Sequence, residues 1–268
     1  MLSMLAPALS TPLLKLPILV PDAILTYISL TPPTAPPSAD ERKKFAYSDY
    51  FSDNYQVQMQ IVNACKVKAC SLFAPGAPVL TPNDSQSALI GLMAAETTTI
   101  LAQRFPSRLS TRLLSLLAPT RPLALTPTPR FLLTGALVLA AGLLRLWTYR
   151  TLGRFFRWQL SLVDGHRLVT AGPYAWVRHP SYVASALVSY GNLVLLSGQG
   201  SYFAERGLGR TKLGKAVAGV IAGYLLYIHA SLIVTRVDKE DAVLREQFGE
   251  EWEAWARRTP YKLVPYVY

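Results

Sequence analysis

The chain has 268 residues, 51% of them hydrophobic and 16% charged, with a formal net charge of +11 and a mean hydropathy of +0.24. Soluble domains carry about 25% charged residues, so the deficit argues against an ordinary soluble enzyme and for a membrane protein. Lys and Arg flank apolar runs instead of gathering in one polar domain, which assigns the basic excess to lipid headgroups and excludes a nucleic-acid module.

Residues 1–30 are apolar but interrupted by Pro7, Pro12, Pro17 and Pro21. They predict a kinked first membrane helix; lacking a clear basic start and cleavage site, they are not expected to be a removable signal peptide. From 31 to 84 the chain is polar and proline-rich, opening with TPPTAPPSADERKK, which predicts an exposed loop or insert. This stretch holds both cysteines, Cys65 and Cys70; with only three histidines in the chain, neither a disulfide framework nor a metal site is expected. Residues 85–104 read as a marginal membrane helix, diluted by Glu96 and the threonines Thr97, Thr98 and Thr99, and 105–130 as a basic, proline-rich connector.

Residues 131–147, FLLTGALVLAAGLLRLW, have about the length needed to span a bilayer. Arg145 and Arg150 at their end are expected to snorkel to the headgroups. Two further apolar runs follow at 183–197 and 213–235, and the second contains Gly219-x-x-x-Gly223, a spacing that lets another helix approach. Only the loop 198–212 separates these two runs, so they form a hairpin, and 150–182 and 236–268 meet at one membrane surface. By the positive-inside rule Arg150, Arg154, Arg157, Arg167 and Arg178 place that surface in the cytosol, against the pull of Arg206, Arg210 and Lys212 in the loop.

In the tail, Val237, Leu244, Phe248, Trp252 and Trp255 recur at helical spacing. Gly249 breaks the run. Glu250, Glu251 and Glu253 then open a short helix that Arg257 and Arg258 close, in keeping with the helix dipole. Trp252 and Trp255 are expected at the membrane interface. No glycine fingerprint for a dinucleotide follows a strand. The expected fold is all-α and multi-pass, with about four or five spanning helices, a C-terminal helical hairpin and an interfacial tail helix. Residues 1–130 form a variable N-terminal region and 131–268 the membrane core.

Two stretches concentrate polar and aromatic residues at the shared surface. LVTAGPYAWVRHPSY at 168–182 sets Arg178, His179, two tyrosines and a tryptophan at a membrane boundary, where such residues are costly without a purpose. RVDKEDAVLREQFGEEWEAWARRTPYKLVP follows the hairpin from Arg236. Together with LGRFF at 152–156, these stretches resemble the isoprenylcysteine carboxyl methyltransferases, part of a wider group of integral-membrane enzymes that includes phospholipid methyltransferases. The resemblance covers about residues 147–268. It implies S-adenosyl-L-methionine as methyl donor, the C-terminal prenylcysteine carboxylate of prenylated proteins as acceptor, and the endoplasmic reticulum membrane as location. Carried over position by position, it implies cofactor contacts at Gln159, His166, Arg167, Leu168, Val169, Tyr174, His179, Pro180, Ser181, Tyr182 and Glu240, with Arg236 as the catalytic residue facing the substrate. The chain departs from the family pattern at Ala184, where many relatives have glycine, and at Asp241, which replaces a second glutamate.

The chemistry of these residues agrees. A sulfonium is attracted to aromatic faces, which Tyr174, Trp176 and Tyr182 can offer. Glu240 can accept from ribose hydroxyls or an amine. An acceptor carboxylate is already ionised, so alignment rather than a general base is needed, and Arg236 can hold it through a forked pair. Arg236 and Glu240 lie four apart on one helix face. The same residues have plainer readings: an intrahelical ion pair for Arg236 and Glu240, a headgroup anchor for Arg178, a helix cap for His179. His229, inside an apolar run, reads as hydrogen-bonded to a neighbouring helix. Two other functions stay open, a phospholipid N-methyltransferase, in which a base should matter and Arg236 should not, and a catalytically silent membrane scaffold.

Overall fold

The computed structural model describes residues 11–31, 33–34, 87–157 and 165–268, and every regular element among them is helical. The proline-rich insert with Cys65 and Cys70 lies outside the described residues, as does Gln159. Helix α1, Leu16–Leu30, follows a tight turn at Pro12–Lys15 and carries Pro21 inside. Helices α2, Ser87–Arg104, and α3, Arg108–Leu117, come next, so the connector expected at 105–130 itself contains a helix. Ser107 caps α3 by accepting from the Ser110 amide, and Thr128 caps α4, Pro129–Leu152, by accepting from the Phe131 amide; both are ordinary start signals, the second reinforced by a proline at the first helical position. Helix α5, Pro180–Ser197, and α6, Lys212–Ser231, form the predicted hairpin. A π turn at Leu232–Arg236 leads α6 into α7, Val237–Phe248, and α8, Glu250–Arg258, closes the chain.

Among the described residues three stretches are long and apolar enough to cross a membrane: Pro12–Leu30, Pro129–Phe155 and Lys212–Phe248. The kinked N-terminal helix is therefore among them. The middle of α5 carries a polar contact to the first helix: buried Asn192 donates through Nδ2 to Thr26 Oγ1 of α1 at 2.8 Å.

Helices α1 and α4 run side by side in the same direction. Lys15 lies over the Phe131 ring at one end, and Arg145 Nε donates to the Ser29 carbonyl at the other. Their close approach depends on glycine. A Cβ on Gly135 would come within 2.5 Å of Ile18, and one on Gly142 within 2.8 Å of Leu25. Gly191 plays the same part where α5 meets Val138 of α4. The seam anticipated at Gly219 and Gly223 is not made: nothing among the described residues lies within 4 Å of a Cβ at either position. That face of α6 points outward, with Val220 and Leu226 beside it exposed.

The two ends of this bundle are each held by buried polar contacts. At the hairpin-loop end Lys15 and Glu96 form a fully buried ion pair. Lys15 Nζ also donates to Gly200 O at 2.8 Å, and Glu96 Oε2 accepts from the Tyr202 amide at 2.8 Å. Glu96 is thus the partner of the cation in the turn that opens α1, which is why a helix tolerates it there. At the opposite end Arg145 is buried instead of snorkelling. It donates to Ser29 O, to Ser181 O at 2.8 Å and to Ser181 Oγ, and Tyr149 adds a hydroxyl bond to Ser29 O at 2.9 Å. Arg150 is exposed as expected. The tail tryptophans also depart from expectation. Trp252 and Trp255 are buried with Tyr174 against Leu168, Val169, Leu244 and Phe248, because the 168–174 segment gives α8 a protein partner for its apolar face.

Candidate active site

The hairpin delivers its two motifs to one place. His179 ends the loop before Pro180 opens α5, and its Nε2 lies 2.9 Å from Asp241 Oδ1 on α7. Arg178 shares that carboxylate, with NH2 3.1 Å from Asp241 Oδ2, and donates to Thr259 O at 3.3 Å. Arg178 is therefore no headgroup anchor: it is buried, its guanidinium 5.7 Å from the Trp252 ring centre. The backbone is clamped as well, since the Arg178 and His179 amides donate to Tyr261 O and Lys262 O at 2.9 and 2.7 Å. The tail thus fixes this loop as a strand partner would, and a loop fixed in this way holds its side chains at defined angles.

One turn into α5, Tyr182 stacks on His179 with ring centres 5.8 Å apart and donates its hydroxyl to Glu240 Oε2 at 2.5 Å. The guanidinium of buried Arg236 acts on the same hydroxyl. Arg236 is the last residue of the π turn. Such a turn widens a helix by one residue and recurs at functional sites. It lets Arg236 and Glu240 converge on Tyr182 from one stretch of chain, so they do more than pair along a helix.

Beside this group a cleft of about 750 Å³ opens, lined by His166, Arg167, Leu168 and Val169 together with Thr151, Arg154, Phe155, Phe248 and Glu251. The His166 ring sits between Phe155 and Phe248, with centres 4.8 and 5.8 Å away. Its Nδ1 is buried without a protein partner among the described residues. Burial holds the His166 pKa below its ordinary 6.5, Arg157 reinforces the effect, and Glu240 opposes it. Glu240 also acts on Tyr174, whose hydroxyl is pushed well above its usual range chiefly by burial. Glu240, hydrogen-bonded to Tyr182, thus acts electrostatically on His166 of the cleft without lining it.

Of the residues carried over from the resemblance, His166 to Val169 line the cleft, while His179, Tyr182, Glu240 and Arg236 form the adjoining polar group. Pro180 starts α5. Tyr174 packs into the tryptophan cluster and accepts the Trp255 indole N–H on its carbonyl at 3.1 Å. Ser181 points elsewhere: its hydroxyl and carbonyl take Arg145. Trp176, offered as a sulfonium face, is exposed and packs edge-on against Trp147. His229 binds the Leu225 carbonyl of its own helix at 2.9 Å and meets the neighbouring α5 through the Ser185 backbone, as expected, and through the Tyr190 ring. Asp241, noted only as a substitute for glutamate, anchors both Arg178 and His179. Its place beside Glu240 was the available signal. Phe155 and Phe248 of the cleft belonged to the motifs but had no role assigned.

A family model matches residues 133–203, that of the isoprenylcysteine carboxyl methyltransferase (ICMT) family, which bears out the resemblance read from the motifs. Protein-S-isoprenylcysteine O-methyltransferase of Homo sapiens is 33% identical over 104 residues, 39% of this chain and 29% of that protein. Delta(14)-sterol reductase ERG24 of Saccharomyces cerevisiae is 42% identical over 45 residues, 17% of this chain and 10% of that protein. The uncharacterized protein YpbQ of Bacillus subtilis is 32% identical over 74 residues, 28% of this chain and 44% of that protein. The chain therefore spans less than half the length of each of these relatives, and two of them carry names for different reactions.

Proposed function

We propose that the protein transfers the methyl group of S-adenosyl-L-methionine to the C-terminal prenylcysteine carboxylate of prenylated proteins, at the cytosolic face of the endoplasmic reticulum membrane. The observation that carries this reading is the convergence of the two motif blocks, His179 on Asp241 and Tyr182 on Glu240, beside a cleft of about 750 Å³. That volume lies in the range of small-molecule sites. The lining suits the cofactor. Phe155, Phe248 and the His166 ring offer faces to a sulfonium, the buried His166 Nδ1 is open to a polar partner, and Glu240 can accept from a hydroxyl or an amine.

When bound, S-adenosyl-L-methionine supplies an electrophilic methyl group on a positively charged sulfur. Its methyl group would pass to the acceptor carboxylate, an ester O–CH3 bond forming as the S–CH3 bond breaks, so that the two opposite charges would vanish together. No proton moves, so no side chain need act as a base. The protein's work is to hold and align the carboxylate and to exclude water. Arg236 holds the carboxylate through its planar fork. Tyr182 and Glu240 orient Arg236 from the other side, and Asp241 fixes His179 under Tyr182. The exposed apolar face of α6 leaves the region open to a lipid-borne acceptor.

The test is an acceptor panel in membranes containing the protein and radiolabelled methyl donor: a farnesylated cysteine analogue, phosphatidylethanolamine and, given the reductase match, a Δ14-sterol with reductant. We expect label on the farnesylated cysteine that alkali releases as methanol, the mark of an ester. Alkali-stable label on phosphatidylethanolamine would make the protein an N-methyltransferase. Sterol reduction without methyl transfer would remove the proposal, and no turnover would favour a silent scaffold.

A further inference from the structure

The end of the bundle away from the candidate site has a surface the proposed reaction does not use. Helix α3 is capped at Ser107 and anchored at its other end, where Tyr202 of the hairpin loop donates its hydroxyl to Leu117 O at 2.9 Å. It therefore lies at the level of the loop between α5 and α6. Its inner side holds buried Ser110 and partly buried Leu113, Leu114 and Leu117. Its outer side carries Leu109 and Leu116, 65% and 51% exposed, and Phe105 in the turn just before the helix is 60% exposed as well. Beside the leucines stand exposed Arg108 and Arg112, and exposed Arg104 ends α2 just before this helix. Between residues 97 and 130 the sequence has five arginines and no aspartate or glutamate. The facing loop adds Arg210, Lys212 and Lys215, all exposed.

An apolar surface that faces outward beside cations fits one environment, the boundary between acyl chains and headgroups. Water alone would leave the leucines exposed, and hydrocarbon alone would strand the arginines. The spans Pro12–Leu30, Pro129–Phe155 and Lys212–Phe248 each begin at this end, which puts α3 where that boundary must be. The absence of acids from 97–130 gives the headgroup a sign. We propose that α3 lies in the headgroup layer and, with the hairpin loop, binds anionic phospholipid headgroups.

The test uses the full chain purified in mild detergent and titrated with dioleoylphosphatidylglycerol or dioleoylphosphatidylcholine, with bound lipids counted by native mass spectrometry. Each basic residue at an anionic surface contributes about five-fold in affinity, so R104Q/R108Q/R112Q is expected to weaken phosphatidylglycerol binding by about 100-fold and leave phosphatidylcholine unchanged. R257Q/R258Q, at the other end, is expected to leave both unchanged. Should the triple variant fail to fold, R112Q alone is expected to show about a five-fold loss. Equal affinity of the wild type for the two lipids would overturn the proposal, as would an unaltered preference in the arginine variants. Displacement of the lipid by inorganic phosphate would also overturn it, identifying a free-phosphate site instead.

Discussion

At the residue scale, Asp241 and Arg236 divide the labour of the site. Asp241 serves two partners at once, Arg178 and His179, and D241A leaves both without that carboxylate in a buried setting. Breaking a buried pair in this way costs about 3–5 kcal/mol, so thermal unfolding in detergent should show a large loss of stability along with activity. Arg236 should behave differently. A charged forked pair contributes about 1.5–3 kcal/mol, roughly 10- to 100-fold. R236A should lose that factor in acceptor use while cofactor affinity by calorimetry stays near wild type, and R236K should recover only part of it. Loss of cofactor affinity with unchanged acceptor dependence would reverse the assignment. His166 adds a pH signature. Its folded pKa lies below the ordinary 6.5, chiefly through burial, so the unfolded chain takes up the proton first as pH falls. Its stabilising share is complete above about pH 6.5 and is lost in acid, through the lowered folded value. Unfolding midpoints measured down this range should fall less steeply for H166F than for wild type; parallel slopes would show that His166 is not buried neutral.

At the element scale, what packs was less legible than what forms. The spans at 131–147 and 213–235 and the break at Gly249 follow from composition, capping and a glycine with φ of +49°, all local properties. Which face of a helix meets another is not local. Gly219 and Gly223 have the spacing of a close seam yet have nothing within 4 Å among the described residues, whereas Gly135, Gly142 and Gly191, unmarked by any pattern, sit against Ile18, Leu25 and Val138. G142L should therefore overpack α1 against α4 and cost about 1–3 kcal/mol, while G219L leaves the unfolding midpoint unchanged. An equal loss at both positions would contradict the packing described. Arg145, expected at the headgroups, is buried for the same reason. A charge in an apolar helix looks like a defect until the partner arrives from 116 residues away, as Ser29 O does for Arg145. The π turn before Arg236 left no mark in the sequence.

At the scale of the whole molecule, one inference carried most of the site: a short loop between two apolar helices returns the chain to the surface it left. The short loop alone brings 178–182 and 236–241 to one surface, whatever the side chains between them do. What it could not supply was the division of the site into an aromatic cleft and a buried polar group, because that depends on the tail folding back onto Arg178 and His179. Basic residues stand at both ends of the bundle, the α3 end with fewer acids, so charge alone does not orient it in the membrane.

The most direct measurement is calorimetric titration of S-adenosyl-L-methionine into the purified full chain and into E240A. Saturable binding to the wild type, weakened at least about 10-fold in E240A through loss of a charged hydrogen-bond acceptor and unaltered in G219L, is the predicted result. No binding by a folded wild-type protein would contradict the reading of the cleft and the polar group as one methyl-donor site.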